Sequence, residues 1–307
     1  MSAVKTSLRV GRQTLQISNP DKVLYPEAGF RKADVLAYYG AVARTILPHL
    51  RARPLTLKRY PDGVHHPFFY EKHCPEHRPG FIATATLESE RNPQGITYCV
   101  VKDAASLLWV ANLASLELHI LLSRAPRPDR PTMMVFDLDP GAPANILDCA
   151  RVALEFRQLL THFKLECFVK TSGSKGLHLL VPLNTNVSFE QTKSMSRAMA
   201  GILEKQDPQR VTTTMKRDLR GGKVFIDWSQ NDEHKTTVCA YSLRATAQPS
   251  VSTPIAWREL KSALSLADPH RLAFTPAQVL NRINRKGDLL APLQALKQKL
   301  PSGLKGT

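Results

Sequence analysis

The sequence predicts an α+β protein, with two lobes of mixed and antiparallel sheet and flanking helices about a cleft. Strand-like and helix-like segments mix along the chain without the regular alternation that a doubly wound sheet would show. The chain has 307 residues, 43% of them hydrophobic, which is enough for one large domain or two small ones with a packed core. No internal repeat or low-complexity tract interrupts it.

Residues 17 to 30 are rich in turn formers, including Asn19, Pro20, Pro26 and Gly29, and read as a loop. The apolar spacing of residues 32 to 50 then predicts an amphipathic helix. Residues 55 to 70 switch to short strands around the turn signal Tyr60-Pro-Asp-Gly63 and end in the aromatic pair Phe68 and Phe69, so a hairpin is expected. The long apolar stretch from 104 to 123 predicts a helix, and Pro126, Pro128 and Pro131 mark a boundary after it.

Residues 132 to 139 then read as a buried strand, 144 to 163 as a helix, 166 to 170 and 177 to 181 as strands, and 188 to 205 as a second helix. Val224-Phe-Ile-Asp227 is a further short strand, preceded by the basic, glycine-bearing loop 216 to 223. Residues 282 to 300 look helical until Pro301-Ser-Gly breaks the pattern. A single catalytic domain is expected over 1 to 290, with parts at about 17 to 125 and 132 to 245. Residues 291 to 307 are expected to be a helix end and a loose tail.

Lysine and arginine number 42 against 26 acidic residues, a formal charge of +16, which suits a polyanionic partner, nucleic acid first. Charge alone names a partner class and not a reaction. No apolar stretch resembles a signal peptide or a membrane span, so a cytoplasmic protein with no membrane partner is expected. Cys74, Cys99, Cys149, Cys167 and Cys239 are scattered, without a Cys-x-x-Cys pair, and predict reduced, mostly buried thiols.

Asp137 and Asp139 stand two apart in a strand, so the pleat turns both carboxylates to one face, where they could share divalent cations. A lone Asp-x-Asp also occurs in nucleases, glycosyltransferases and plain turns. The second element is Lys170-Thr-Ser-Gly-Ser-Lys-Gly-Leu-His178, a tight strand-loop-strand turn of small residues that reads as a phosphate cradle. Ser172, Ser174, Lys175 and His178 supply donors of the kinds that grip a triphosphate, and Gly176 allows close backbone approach. Spacing and the strand that follows exclude a Walker loop, although an ordinary polar hairpin would look similar. Asp227 closes an apolar run, where a carboxylate is costly unless paired or metal-bound, and it supplies the third acid that a two-metal phosphoryl-transfer site uses.

In this order, Phe136-Asp-Leu-Asp-Pro140, Val169-Lys-Thr-Ser-Gly-Ser-Lys-Gly-Leu-His-Leu-Leu-Val-Pro182, Val224-Phe-Ile-Asp227 and Ala240-Tyr-Ser-Leu-Arg244 resemble the archaeo-eukaryotic primase superfamily, and closely the polymerase domain of bacterial ligase D. Asn19-Pro-Asp-Lys-Val-Leu-Tyr-Pro26 and Pro67-Phe-Phe-Tyr-Glu-Lys-His73 extend the resemblance over about residues 17 to 290. It implies a primase-polymerase fold in which Asp137, Asp139 and Asp227 are catalytic and hold two divalent metal ions, manganese preferred and magnesium possible, with nucleoside triphosphates as substrates. His119, Ser172, Ser174, Lys175, Gly176, His178 and Arg244 match nucleotide-binding positions. Lys22 and Lys32 match lysines that hold a DNA 5′-phosphate, and Phe68 and Phe69 match aromatics that stack on template bases. Lys72 belongs to the same DNA-binding segment, and Arg220 is offered for DNA by charge and position.

The implied function is a DNA-end-binding primase-polymerase of non-homologous end joining that adds ribo- or deoxyribonucleotides at gaps and breaks, in the cytoplasm at the nucleoid. The partners implied are DNA with 5′-phosphate ends, Ku and a DNA ligase. A replicative or mobile-element primase is the rival enzyme reading, and a catalytically idle end-bridging module the rival outside enzymes. His73-Cys-Pro-Glu-His77 has too few ligands at finger spacing to make zinc the better reading.

Overall fold

Helix α1 (Lys32–Leu50) forms where the apolar spacing places it: Val35, Leu36, Tyr39, Val42, Ala43 and Ile46 recur at three- and four-residue intervals and are buried. Asp34 accepts the Arg31 N–H at 2.7 Å and closes its first turn. The computed structural model describes residues 5–89 and 92–301. The chain divides into two compact units: residues 1–121, 238–251 and 275–285 form the first, and 122–237, 252–274 and 286–307 the second.

In the first unit the strands Ser115–Leu121, Pro54–Arg59, Asn92–Val100 and Ala83–Ser89 lie side by side and antiparallel, with Phe69–Glu71 also paired to Pro54–Arg59. That pairing is the expected hairpin. Helix α1 packs on α2 (Ala104–Asn112). Tyr39 is wholly buried, yet its hydroxyl donates to Leu116 O at 2.7 Å, so the polar end is satisfied inside the core.

In the second unit the strand order is Val211–Thr212, Val224–Asp227, Met133–Pro140, Leu177–Pro182, Phe168–Thr171, Pro254–Ile255. All neighbours are antiparallel except the first pair, which is parallel. Alternation on Met133–Pro140 decides where the chemistry goes. Met134, Phe136 and Leu138 point into the core formed with α3 (Ile146–His162) and α4 (Phe189–Gln206), where Phe136 and Phe156 stack with ring centroids 4.2 Å apart. Asp137 and Asp139 are thereby turned to the opposite face. Asn145 and Ser188 cap these helices, accepting the Leu147 N–H at 2.8 Å and the Gln191 N–H at 3.2 Å. No described helix is long and apolar enough to cross a membrane.

Three expectations need correction. The stretch from 104 to 123 is not one helix: α2 ends at Asn112, Ala114 takes φ 57°, and Ser115–Leu121 pairs with Pro54–Arg59 as a strand. Tertiary pairing outweighs the helical reading of an apolar run. The pattern from 282 to 300 is also not one helix, since α6 (Pro276–Lys286) stops at Gly287, which sits at φ 67°. Beyond it the chain is tied down as far as Gln298, whose side chain donates to Glu166 O at 2.9 Å and Pro182 O at 2.8 Å. Residues 302–307, the end of the expected loose tail, lie outside the described residues. Finally, Cys74 and Cys99 are joined in a disulfide, while Cys149, Cys167 and Cys239 are reduced thiols, buried as expected.

Candidate active site and nucleic-acid interface

Asp137 is the centre of a row that crosses the second unit's sheet. Its register partner on one side is Asp227 and on the other His178, which in turn is paired with Lys170. Residues paired across a sheet share a face, and Asp139 joins that face two positions along. Four chain segments between residues 137 and 227 are thus brought to one surface by strand pairing alone. His178 is buried; its Nδ1 lies 3.1 Å from Thr237 Oγ1 and its Nε2 3.3 Å from Asp137 Oδ1. The ring is therefore held from both sides.

The loop from Ser172 to Gly176 differs from the expected cradle in one respect. The Ser172 hydroxyl accepts the N–H groups of Ser174 at 3.2 Å and Gly176 at 3.1 Å, so it occupies the centre of the turn itself. Ser174 and Lys175 are exposed, and Gly176 is buried. A Cβ on Gly176 would stand 2.1 Å from Leu138 O and 3.4 Å from Asp139 Oδ1, which shows how closely the loop is pressed on the carboxylate strand. Beneath them Cys149 donates to Leu138 O at 3.4 Å. Burial, and next the charges of Asp139 and Asp137, push its thiol well above the ordinary range.

The Asp227 carboxylate accepts from Ser229 N at 2.9 Å, Ser229 Oγ at 2.5 Å and Gln230 Nε2 at 3.0 Å, and Lys235 Nζ stands 4.0 Å away. Asn231 fastens the turn that follows, its amide bridging Val135 N at 2.8 Å and Val135 O at 2.7 Å. The three aspartates supply only hard oxygen donors, the set that suits magnesium or manganese. Among the described residues, however, no three His, Cys, Asp or Glu side chains converge as a ready metal cluster. The backbone brings the carboxylates to one face, while the Asp227 carboxylate is hydrogen-bonded within its own Ser229–Gln230 turn.

The remaining predicted residues, apart from Arg220, belong to the first unit. His119, which falls within the helix expected over 104 to 123, is instead in a strand, with Nε2 2.8 Å from Glu117 Oε2. Burial, with Arg244 and Lys58 nearby, lowers its pKa against the opposing pull of Glu117. Arg244 Nε lies 3.3 Å from the same Glu117 oxygen.

Lys22 and Lys32 are brought together by the Lys32 N–H, which donates to Lys22 O at 2.9 Å. Lys22 pairs with Asp62 at 2.6 Å, and Lys32 donates to Ser18 O at 2.6 Å. Burial pushes the Lys32 pKa down to about 8, with the charges of Lys22 and Arg59 adding to the effect. An ammonium that is both buried and crowded by other cations is a receptive place for an anion.

Phe68 and Phe69 are both exposed, at 47% and 44%, but they do not act as a pair. Phe69 lies under the Arg59 guanidinium, 5.0 Å from its ring centroid, and Arg59 is bidentate to Glu71 at 3.0 and 2.9 Å. Phe68 instead meets Tyr70 edge-on at 5.8 Å, with Lys58 Nζ 4.1 Å from the Phe68 ring. Lys72 is exposed just after that strand. Arg220, in the second unit, is folded onto its own loop: the guanidinium lies 3.5 Å from the Phe225 ring and donates to Thr214 O at 3.1 Å and Met215 O at 2.6 Å. Lys58, Tyr70, Glu117, Lys170 and Asn231 were not singled out from sequence, because their partners lie on other strands.

Comparison with known proteins places this geometry in a family. The family model for the LigD primase-polymerase domain matches residues 31–290. The multifunctional non-homologous end joining protein LigD of Mycolicibacterium smegmatis is 41% identical over 285 residues, covering 92% of this chain and 36% of that protein. The bifunctional non-homologous end joining protein LigD of Bacillus subtilis is 30% identical over 274 residues, covering 89% of this chain and 43% of that protein. The chain thus spans less than half the length of these relatives. The polymerase domain of Mycobacterium tuberculosis ligase D, solved in complex with DNA, superposes with a TM-score of 0.85 at 40% identity, covering 92% of this chain and 99% of that one.

Proposed function

This chain belongs to the LigD primase-polymerase domain family, and from that premise we propose that it is a DNA-end-binding nucleotidyltransferase of non-homologous end joining, which extends 3′ ends at gaps and breaks with or without a templating base. The observation that carries the reading is the row formed by Asp227, Asp137 and His178, with Asp139 on the same face. An acidic face beside a loop of small residues and a lysine suits triphosphate chemistry better than nuclease chemistry, which has no use for the loop.

Asp137, Asp139 and Asp227 would hold two divalent cations, which when bound lower the pKa of the attacking 3′-hydroxyl and offset charge on the phosphates. Asp227 serves the primer side. Lys175, exposed at the loop tip, supplies a point charge for the triphosphate, and Ser174 a hydroxyl donor. His178, clamped by Thr237 and Asp137, offers a fixed ring edge. His119 and Arg244 hold the sugar and phosphates of the incoming nucleotide. Lys22 and Lys32 take the 5′-phosphate across a gap, and Phe68 stacks on a template base. Ribonucleotides are the favoured substrates, Ku and a DNA ligase act on the same ends, and the site of action is the nucleoid.

Extension of a labelled gapped duplex, with and without a 5′-phosphate on the downstream strand, tests this reading. Extension that is stimulated by the phosphate, and loses that stimulation in Lys22→Ala and Lys32→Ala, is expected. Phosphate-independent extension would fit a priming enzyme instead, and binding without extension an end-bridging module.

A further inference from the structure

Glu117 is a carboxylate only 2% exposed, and no motif assigns it a task. Its Oε2 meets His119 Nε2 at 2.8 Å and Arg244 Nε at 3.3 Å, and its Oε1 accepts the Ala245 N–H at 3.1 Å with Lys58 Nζ at 3.6 Å. Strand register makes this possible. Lys58 is the cross-strand partner of Glu117, and His119 shares its face two residues along.

Burial by itself would raise the Glu117 pKa, but the hydrogen bond from His119 and the charges of Arg244 and Lys58 bring it down to about 2. Glu117 is therefore an anion, able only to accept, and the His119 nitrogen facing it must carry a proton. Because the His119 pKa is lowered, the ring is neutral near pH 7, and its proton sits on Nε2.

The backbone on which Arg244 stands is fixed independently. Ser242 Oγ accepts the Leu118 N–H at 2.9 Å, Tyr39 Oη accepts the Leu243 N–H at 3.2 Å, and Tyr25 Oη donates to Arg244 O at 3.0 Å. What these bonds leave undetermined is the direction of the guanidinium, and Glu117 supplies that.

We propose that Glu117 is the positioning residue of the nucleotide site, locking His119 in its Nε2–H tautomer, so that Nδ1 is an acceptor, and aiming the Arg244 guanidinium. The proposal rests on the reading of His119 and Arg244 as nucleotide-holding groups. A purely structural role is the weaker account, since a buried carboxylate gathered with two cationic partners and a neutral imidazole gives little net stability over well-packed apolar residues. What such a cluster does give is two functional side chains set by one anchor, as carboxylates behind ligand histidines do elsewhere.

The test compares wild type with Glu117→Gln and with the double variant Glu117→Gln, Lys58→Met. Glutamine has one acceptor oxygen for donors at both ends: turned to His119 and Arg244 it sets its NH2 group against the Ala245 N–H and Lys58, and turned the other way it sets it against His119 and Arg244, so the wild-type arrangement cannot be kept. The double variant removes the uncompensated lysine and keeps the buried cluster close to charge balance should the single variant fold poorly. Nucleotide KM and kcat are measured separately at saturating DNA, with melting temperature, and the His119 tautomer is read from ring nitrogen NMR shifts. Wild type is expected to show one tautomer, Nε2–H. Glu117→Gln is expected to raise nucleotide KM at least ~10-fold and to mix the tautomers. The double variant should regain melting temperature without regaining KM. An unchanged KM with a single tautomer, or recovery of KM together with stability, would overturn the proposal. His119→Ala and Arg244→Ala separate the two levels: if neither raises KM, the nucleotide reading itself fails, and if both do while Glu117→Gln does not, only the positioning role fails.

Discussion

Replacing Gly176 by alanine should disturb the site directly. The new Cβ would stand 2.1 Å from Leu138 O, a backbone atom of the strand that carries Asp137 and Asp139. A side-chain carbon does not come within 3.0 Å of such an atom, so the loop must retreat by about 1 Å. It cannot do so freely, because the Gly176 N–H donates to Ser172 Oγ at 3.1 Å and its carbonyl accepts the Ser172 N–H at 2.9 Å. Overpacking of this kind costs about 1 to 3 kcal/mol, which for a chain of this size lowers the melting temperature by roughly 2 to 5 °C. A displacement near 1 Å at a reacting geometry costs on the order of 100-fold in rate. Thermal melts followed by circular dichroism and single-nucleotide extension kinetics read the two effects. A Gly176→Ala protein with wild-type melting and wild-type kinetics would refute the claim that this loop is pressed on the carboxylate strand.

Three further outcomes follow from the same geometry. Phe68→Ala should weaken binding of template-overhang DNA by about 1 to 3 kcal/mol, measured by fluorescence anisotropy, whereas Phe69→Ala should cost clearly less because its ring is engaged by Arg59. Because the Lys32 pKa in the folded protein, about 8, lies below the ordinary 10.5, its charge is lost as pH rises through 8. Discrimination for a 5′-phosphate in DNA binding should therefore fall between pH 7 and 9. The linked stability effect has the opposite sign: the unfolded chain binds more protons between about 8 and 10.5, so this group's contribution to stability rises with pH across that window. Asn231→Ala should cost about 2 to 4 kcal/mol in chemical denaturation, because two buried backbone groups of Val135 lose their partners.

Much of the second unit's sheet was legible in the sequence, because alternation on Met133–Pro140 has a simple physical meaning: the apolar residues face helices α3 and α4, and the aspartates take the other side. The loop from Ser172 to Gly176 was legible as tight for the same kind of reason. His119 was misplaced because Ala114 turns the chain in a left-handed conformation that alanine does not advertise. The Phe68 and Phe69 pair reads as one patch in sequence, yet the strand begins only at Phe69 and the two rings part, Phe69 to Arg59 and Phe68 to Tyr70 and Lys58. Glu117 is the clearest case of what pattern cannot supply. Its partners at 58, 119 and 244 are joined only by strand register and a returning segment, and no local spacing signals them.

The most direct test of the central claim is addition of one labelled nucleotide to the 3′ end of a gapped duplex with manganese, comparing wild type with Asp137→Asn, Asp139→Asn and Asp227→Asn. The account predicts addition by wild type, a loss of at least ~100-fold in each variant, and retained DNA binding by all four. Wild-type protein that binds the duplex without adding a nucleotide, or an Asp137→Asn protein that adds it at the wild-type rate, would contradict it.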